Sequence, residues 1–203
     1  MSRRLALASI AALLAAPSAA RALPPVRSMV ELRGQGVVQQ RFDLSCGAAA
    51  LATLLTYDLG DRVEEREIID ALLRGADADR IRERGGFSLL DLKRYAAGRG
   101  YATAGYKGID LVTLQALGAA IVPIENPIGA HFVVFRGVVR GRAVLADPAY
   151  GNRTLPLERF QELWSPRVAF VVRRPAPGGR PARQPEPALV PPTLVRRAIG
   201  GAP

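Results

Sequence analysis

The period of the apolar positions changes partway along the chain. From Cys46 to Leu59 the sequence is rich in Ala and Leu, with no Gly or Pro after Gly47, and predicts a mostly buried helix. "VEEREIIDALLRG" sets Val63, Ile68, Ile69 and Leu72 near helical spacing, with acids in its first turn and Gly75 at its end, and predicts an amphipathic surface helix. In "GGFSLLDLKRYAAGRG", Ser88 and Asp91 have capping-box spacing ahead of a third helix, which Gly98 and Gly100 stop. "IDLVTLQAL" predicts a short fourth helix capped by Asp110.

The later apolar segments are of a different kind. "YATAGYK", "AAIVPIE", "HFVVFRGVV", "RAVLADP" and "VAFVVRR" are short, rich in β-branched and aromatic residues, and separated by Gly or Pro. "LERFQELW" inserts one short helix before the last of them. Helices followed by strands imply an α+β domain with N-terminal helices packed on an antiparallel sheet.

The two ends break both patterns. "MSRRLALASIAALLAAPSAARA", residues 1–22, carries Arg3 and Arg4, an apolar stretch from Leu5 to Ala16 and then small residues, the order of a secretory signal peptide. Cleavage after Ala22 and cleavage after Ala20 both satisfy that pattern. The apolar stretch is shorter than the roughly 20 residues of a membrane span, and no later segment is long and uncharged enough to be one. Residues 23–36 then form an N-terminal extension, 37–174 the folded domain, and 175–203 a Pro/Gly/Arg-rich flexible tail. The expected location is the periplasm.

Charge adds little to the folded part. The formal net charge of +10 is concentrated at the ends, leaving 19 basic and 17 acidic residues between positions 23 and 172. A nucleic-acid partner would require a basic face on the fold itself, and the sequence shows none.

The chain has one cysteine and one histidine. An exported protein with a single Cys cannot form an internal disulfide, and its thiol is open to oxidation. Cys46 sits where a loop becomes a helix, a position that favours the thiolate. His131 heads the strand "HFVVF", and a His beside a thiol can hold its proton and later pass it to a leaving amine. The segment from His131 to Asp147 reads as a hairpin turning near Gly141, which brings both residues to its open end and makes Asp147 the natural orienter of the imidazole. An oxyanion would take one donor from the Cys46 backbone and another from an upstream amide. Spacing alone does not choose between Gln39 and Gln40.

"QRFDLSCGAAALATLL", "HFVVF" and "DPAYGNRTLPLERFQELW" together resemble the double-glycine (bacteriocin-processing) peptidase family, of papain-like cysteine peptidase fold, over about residues 37–172. The resemblance implies Cys46 as nucleophile, His131 as base, Asp147 as orienter and Gln40, six residues before the nucleophile, as the oxyanion-hole amide. It implies no cofactor and no metal. Many members carry Asp where this chain has Ser45. Well-known members are domains of membrane exporters that cut leaders after Gly-Gly, whereas this chain is similar to the stand-alone exported branch found with functional-amyloid secretion systems. The implied partners are a peptide or protein substrate, such as a secreted amyloid or a Gly-Gly-containing protein, and an outer-membrane secretion component. A different class of function fits the same fold: an adaptor that holds an extended peptide without cutting it.

Overall fold

A computed structural model describes residues 27–74, 78–127 and 129–175. The signal peptide expected at 1–22 and nearly all of the tail expected at 175–203 lie outside the described residues. The elements in order are α1 (Met29–Gly34), α2 (Cys46–Thr53), α3 (Glu65–Leu73), α4 (Ala78–Glu83), α5 (Leu89–Gly98), β1 (Ala102–Lys107), α6 (Leu111–Leu117), β2 (Ala120–Asn126), β3 (Gly129–Val139), β4 (Arg142–Asp147), β5 (Gly151–Pro156), α7 (Leu157–Leu163) and β6 (Val168–Arg173). The strands form one antiparallel sheet in the order β1-β6-β2-β3-β4-β5, an α+β architecture.

Helix α2 is apolar on all sides, and every residue in it except Cys46 is buried. It packs on the sheet through Leu51 and Ala48, with Leu54, Ile68 of α3 and Leu92 of α5 closing a core against Ile121, Val134, Ala146 and Phe170. Its last turn widens into a π-helical turn over Leu54–Asp58, so the helical run reaches nearly to Leu59 as the composition predicts. The opposite face of the sheet is covered by α6 and α7, where Phe135, Phe160 and Trp164 stack with centroids 5.3 and 5.6 Å apart.

Ser88 and Asp91 form the expected capping box, and Asp110 caps α6 through the Thr113 N–H. An ionic cluster ties α3, α5 and the start of β1 to the loop after α2. Asp61 receives Arg99 Nε and Nη2 at 2.7 and 3.0 Å and the Tyr101 hydroxyl at 2.9 Å. The Arg99 bond lowers Asp61 most and, with the Tyr101 hydroxyl, outweighs the burial penalty to hold it at about 2.

Strands β3 and β4 are joined by a tight turn in which Arg140 and Gly141 have φ of 49° and 71°, as a twisted two-residue hairpin requires. A β-bulge at Arg136 shifts the register between Phe135 and Gly137, and pairing then continues to Val134 opposite Ala146. The bulged residue is used: Arg136 bonds the Gly36 carbonyl at 2.8 Å and Asp58 at 3.1 and 3.2 Å.

Three elements add to the sequence expectation. Strand β5 follows Asp147 on the edge of the sheet, and α1 and α4 are short helices. Helix α1 lies over β5, where Asn152 Nδ2 bonds the Arg33 carbonyl at 3.2 Å. Gly151 permits this approach. Its φ is +78°, and a Cβ there would lie 2.5 Å from the Arg33 oxygen.

Candidate active site

Cys46 is the first residue of α2, half-buried, with Ser45 as its N-cap residue. The Ser45 side chain makes no capping bond to the helix. The hydroxyl turns instead to the Phe42 carbonyl at 2.7 Å and to Glu65 Oε1 at 2.5 Å, so the first-turn N–H groups take no bond from it.

His131 lies near the start of β3, and 7 % of its surface is exposed. Its Nε2 meets Asp147 Oδ1 at 2.7 Å, which leaves Nδ1 as the ring nitrogen for the thiol. Asp147, the last residue of β4, is fully buried. Its Oδ1 also accepts the Ala149 N–H at 2.9 Å and the Tyr150 N–H at 3.4 Å, which fixes the carboxylate plane. Arg153 Nη2 stands 2.8 Å from Oδ2 as an ion-pair contact whose angle does not make it a hydrogen bond, and its guanidinium lies over the Tyr150 ring at 5.1 Å.

The electrostatics agree with this geometry. Burial disfavours the Cys46 thiolate, yet a hydrogen bond from His131, backbone N–H groups of Phe132 and Gly47, and the imidazolium charge outweigh it and lower the thiol below its usual range. Burial likewise disfavours the imidazolium of His131, but the bonds to Asp147 and Cys46 push it up to about 9. Asp147 is held below the usual carboxylate range: His131, the Ala149 N–H and Arg153 overcome its burial. A thiolate beside an imidazolium that a carboxylate orients is a constellation suited to nucleophilic attack on a carbonyl.

Gln40 joins the same neighbourhood through the loop before α2. Its backbone N–H bonds the Pro148 carbonyl at 2.9 Å. Its side-chain Nε2 donates to the Phe42 carbonyl at 3.2 Å, while Oε1 is buried with no partner. That carbonyl fixes the amide orientation, since the reverse would set two oxygens against each other. One of the two N–H groups is spent on Phe42. Gln39, the other amide that spacing allowed, is exposed.

Two neighbours of the site carry no signal that was read from the sequence. Glu65 stands among first-turn acids of a surface helix, yet it is 4 % exposed and accepts the Arg41 N–H on both oxygens at 3.1 and 3.2 Å. Arg153 lies in a polar segment without strand alternation. Among the described residues no group of His, Cys, Asp and Glu could hold a metal ion, and no helix is long and apolar enough to cross a membrane.

Residues 35–176 match the model of the peptidase C39 family. The chain is 36% identical over 165 residues to a protein of Pseudomonas aeruginosa named "Probable functional amyloid protease FapD", an alignment covering 81% of this chain and 72% of the relative. Among solved structures, the peptidase domain of Streptococcus ComA, a bifunctional ABC transporter, superimposes with a TM-score of 0.57 at 20% identity over 68% of this chain and 97% of that domain. A double-glycine motif protease from an AMS/PCAT transporter, solved with its leader peptide, gives 0.53 at 27% identity over 67% of this chain and 89% of the other.

The fold and the family match together define a cysteine peptidase of papain-like architecture. The chain belongs to the peptidase C39 family, and its structural neighbours are double-glycine peptidase domains.

Proposed function

We propose that this protein is a periplasmic endopeptidase that cuts a secreted, surface-assembled protein of an amyloid secretion system, working through an acyl-enzyme on Cys46. The observation that carries this reading is the continuous chain of contacts from the Cys46 sulfur through the His131 ring to Asp147, the last of them 2.7 Å long. The name of the Pseudomonas relative supports the amyloid context, and the signal-like pattern of residues 1–22 supports export.

In this mechanism the Cys46 thiolate attacks the scissile carbonyl carbon, forming the C–S bond and driving the π electrons onto oxygen. The Cys46 backbone N–H and the second Gln40 N–H stabilise that oxyanion. The C–N bond then breaks as the His131 imidazolium gives its proton to the leaving amine. Water attacks the thioester, His131 takes the water proton, and collapse releases the carboxylic acid and restores the ion pair. Asp147 remains ionised throughout and holds the ring.

Specificity for Gly-Gly is part of the proposal. It finds support in the double-glycine motif of the neighbour solved with its leader peptide.

The deciding experiment incubates the mature protein with secreted proteins of the same secretion system and reads cleavage by intact mass. Cleavage by the wild type, abolished in folded Cys46→Ala and His131→Ala variants, is the expected result. Continued cleavage by either folded variant would sink the mechanism. Binding without cleavage by the wild type, retained in Cys46→Ala, would establish a peptide-holding adaptor instead.

A further inference from the structure

The loop from Gln39 to Ser45 carries both the amide read as oxyanion donor and the residue ahead of the nucleophile, and it has no regular secondary structure of its own. A catalytic amide on such a loop must be held by something else. At its start, Val38 donates its N–H to the buried Thr53 hydroxyl at 2.9 Å. At Gln40 the backbone hangs from Pro148. Between these points and Cys46 the loop turns on the Phe42 carbonyl, which accepts the Gln40 side chain at 3.2 Å and the Ser45 N–H at 3.3 Å.

The turn is gripped from outside by one side chain. Glu65 reaches from the first turn of α3 to the Arg41 N–H with both oxygens and to the Ser45 hydroxyl with one, spanning the Phe42 hub on both sides. Among the described residues its partners are these two loop groups and no cation. A buried carboxylate without a counter-cation is costly to place, and its stabilisation comes from donors directed at it. Here those donors come from the loop that carries Gln40. An acid serving only as a first-turn residue of α3 would gain its dipole interaction from an exposed position.

We propose that Glu65 is a positioning residue for the oxyanion site: its carboxylate fixes Arg41 and Ser45, and through the Phe42 carbonyl between them it sets the direction of the Gln40 side-chain amide. Glu65 touches no reacting atom. The inference rests on the assignment of Gln40 in the proposed function.

Two small reagents separate this role from a general one. Acylation of Cys46 by p-nitrophenyl acetate passes through a tetrahedral oxyanion: the sulfur bonds the acetyl carbon and p-nitrophenolate leaves. Alkylation by iodoacetamide displaces iodide and forms no oxyanion. Neither needs a peptide substrate, so the result stands apart from whether a natural substrate is found. Glu65→Ala should slow acylation by about 10- to 100-fold, the scale of a misplaced catalytic group, while alkylation stays within about twofold. Gln40→Ala should show the same selective loss, and the double variant should be no slower than Gln40→Ala alone.

Glu65→Gln keeps an acceptor for the Arg41 N–H and should recover most of the acylation rate. If Glu65→Ala does not fold, Ser45→Ala, which removes one of the two gripped groups, must show the same selectivity in a smaller degree. Equal slowing of both reagents, or no slowing in a folded Glu65→Ala protein, would overturn the proposal. Should Gln40→Ala acylate as fast as wild type, the Gln40 assignment falls and the role of Glu65 with it. Should Gln40→Ala slow and folded Glu65→Ala not, the role of Glu65 falls alone.

Discussion

The backbone N–H of Gln40 is bonded to the carbonyl of Pro148, the residue that follows Asp147, at 2.9 Å. The two sides of the candidate site are therefore one mechanical unit. The loop that precedes Cys46 hangs from the turn that presents the carboxylate, and Asp147 organises that turn by accepting the Ala149 and Tyr150 N–H groups. A change at the carboxylate should thus be felt at both His131 and Gln40.

Cys46 should alkylate rapidly at about pH 6, because His131 and backbone donors hold its thiol low. In His131→Ala the bond and charge of the imidazolium are gone while the burial penalty stays, so the rate should rise only in alkaline solution. Iodoacetamide kinetics against pH check this, and a wild-type profile that rises only in alkaline solution would remove the ion pair.

Peptide cleavage should have an alkaline limb near pH 9, where the imidazolium of His131 loses the proton the leaving amine needs. The same group gives a stability signature of known sign. Its pKa is raised above the unfolded value near 6.5, so its contribution is complete below that pH and is lost as pH rises through about 9. Denaturation of wild type and His131→Ala at pH 6 and pH 10 should show a difference that shrinks in the wild type's disfavour at the higher pH.

Asp147→Asn keeps the shape of the orienter and removes its charge. The imidazolium should then titrate below about 9, the alkaline limb of cleavage should move down with it, and kcat should fall by at least about tenfold with a smaller change in KM. An unchanged limb in a folded variant would show that the carboxylate charge does not set the ring's protonation.

Gly151→Ala should destabilise the fold by about 1–3 kcal/mol through its left-handed backbone alone, and by more if α1 cannot move away from the new methyl. Urea denaturation measures the total, and a change under about 0.5 kcal/mol would mean that α1 yields freely.

Asp61→Asn tests the ionic cluster. The acid's folded pKa is depressed by Arg99, so its contribution is present above the unfolded value near 3.8 and lost as pH falls toward about 2. The variant should be less stable than wild type at pH 7, and the gap should close in strong acid.

Much of the candidate site was legible in the sequence because it is built from rare residues at element ends. One Cys at a helix start, one His at a strand start and an Asp at the end of the adjoining strand leave few alternatives. The elements that escaped are those stabilised by tertiary contact instead of local pattern. Strand β5 presents "GNRTLP" on the sheet edge with only Gly151 buried, so it lacks an apolar alternation. Helix α1 buries none of its residues, and its one local signal is the capping box of Ser28 and Glu31. Glu65 has the same local context as an exposed first-turn acid, and only the arrival of Arg41 and Ser45 from another part of the chain distinguishes it.

The extra residue at Arg136 decides the parity of the hairpin. Had the pairing of Val139 with Arg142 continued without interruption, Asp147 would stand opposite Val134, three residues from His131, and the two side chains would leave opposite faces of the sheet. With one residue looped out, Val134 stands opposite Ala146; one further step of that ladder sets Asp147 against Val133, an even count from His131, and the two side chains meet. The encounter of imidazole and carboxylate therefore depends on an odd number inserted between two ordinary ladders. A single-residue deletion in β3 could spare Cys46, His131 and Asp147 and still keep the imidazole from the carboxylate.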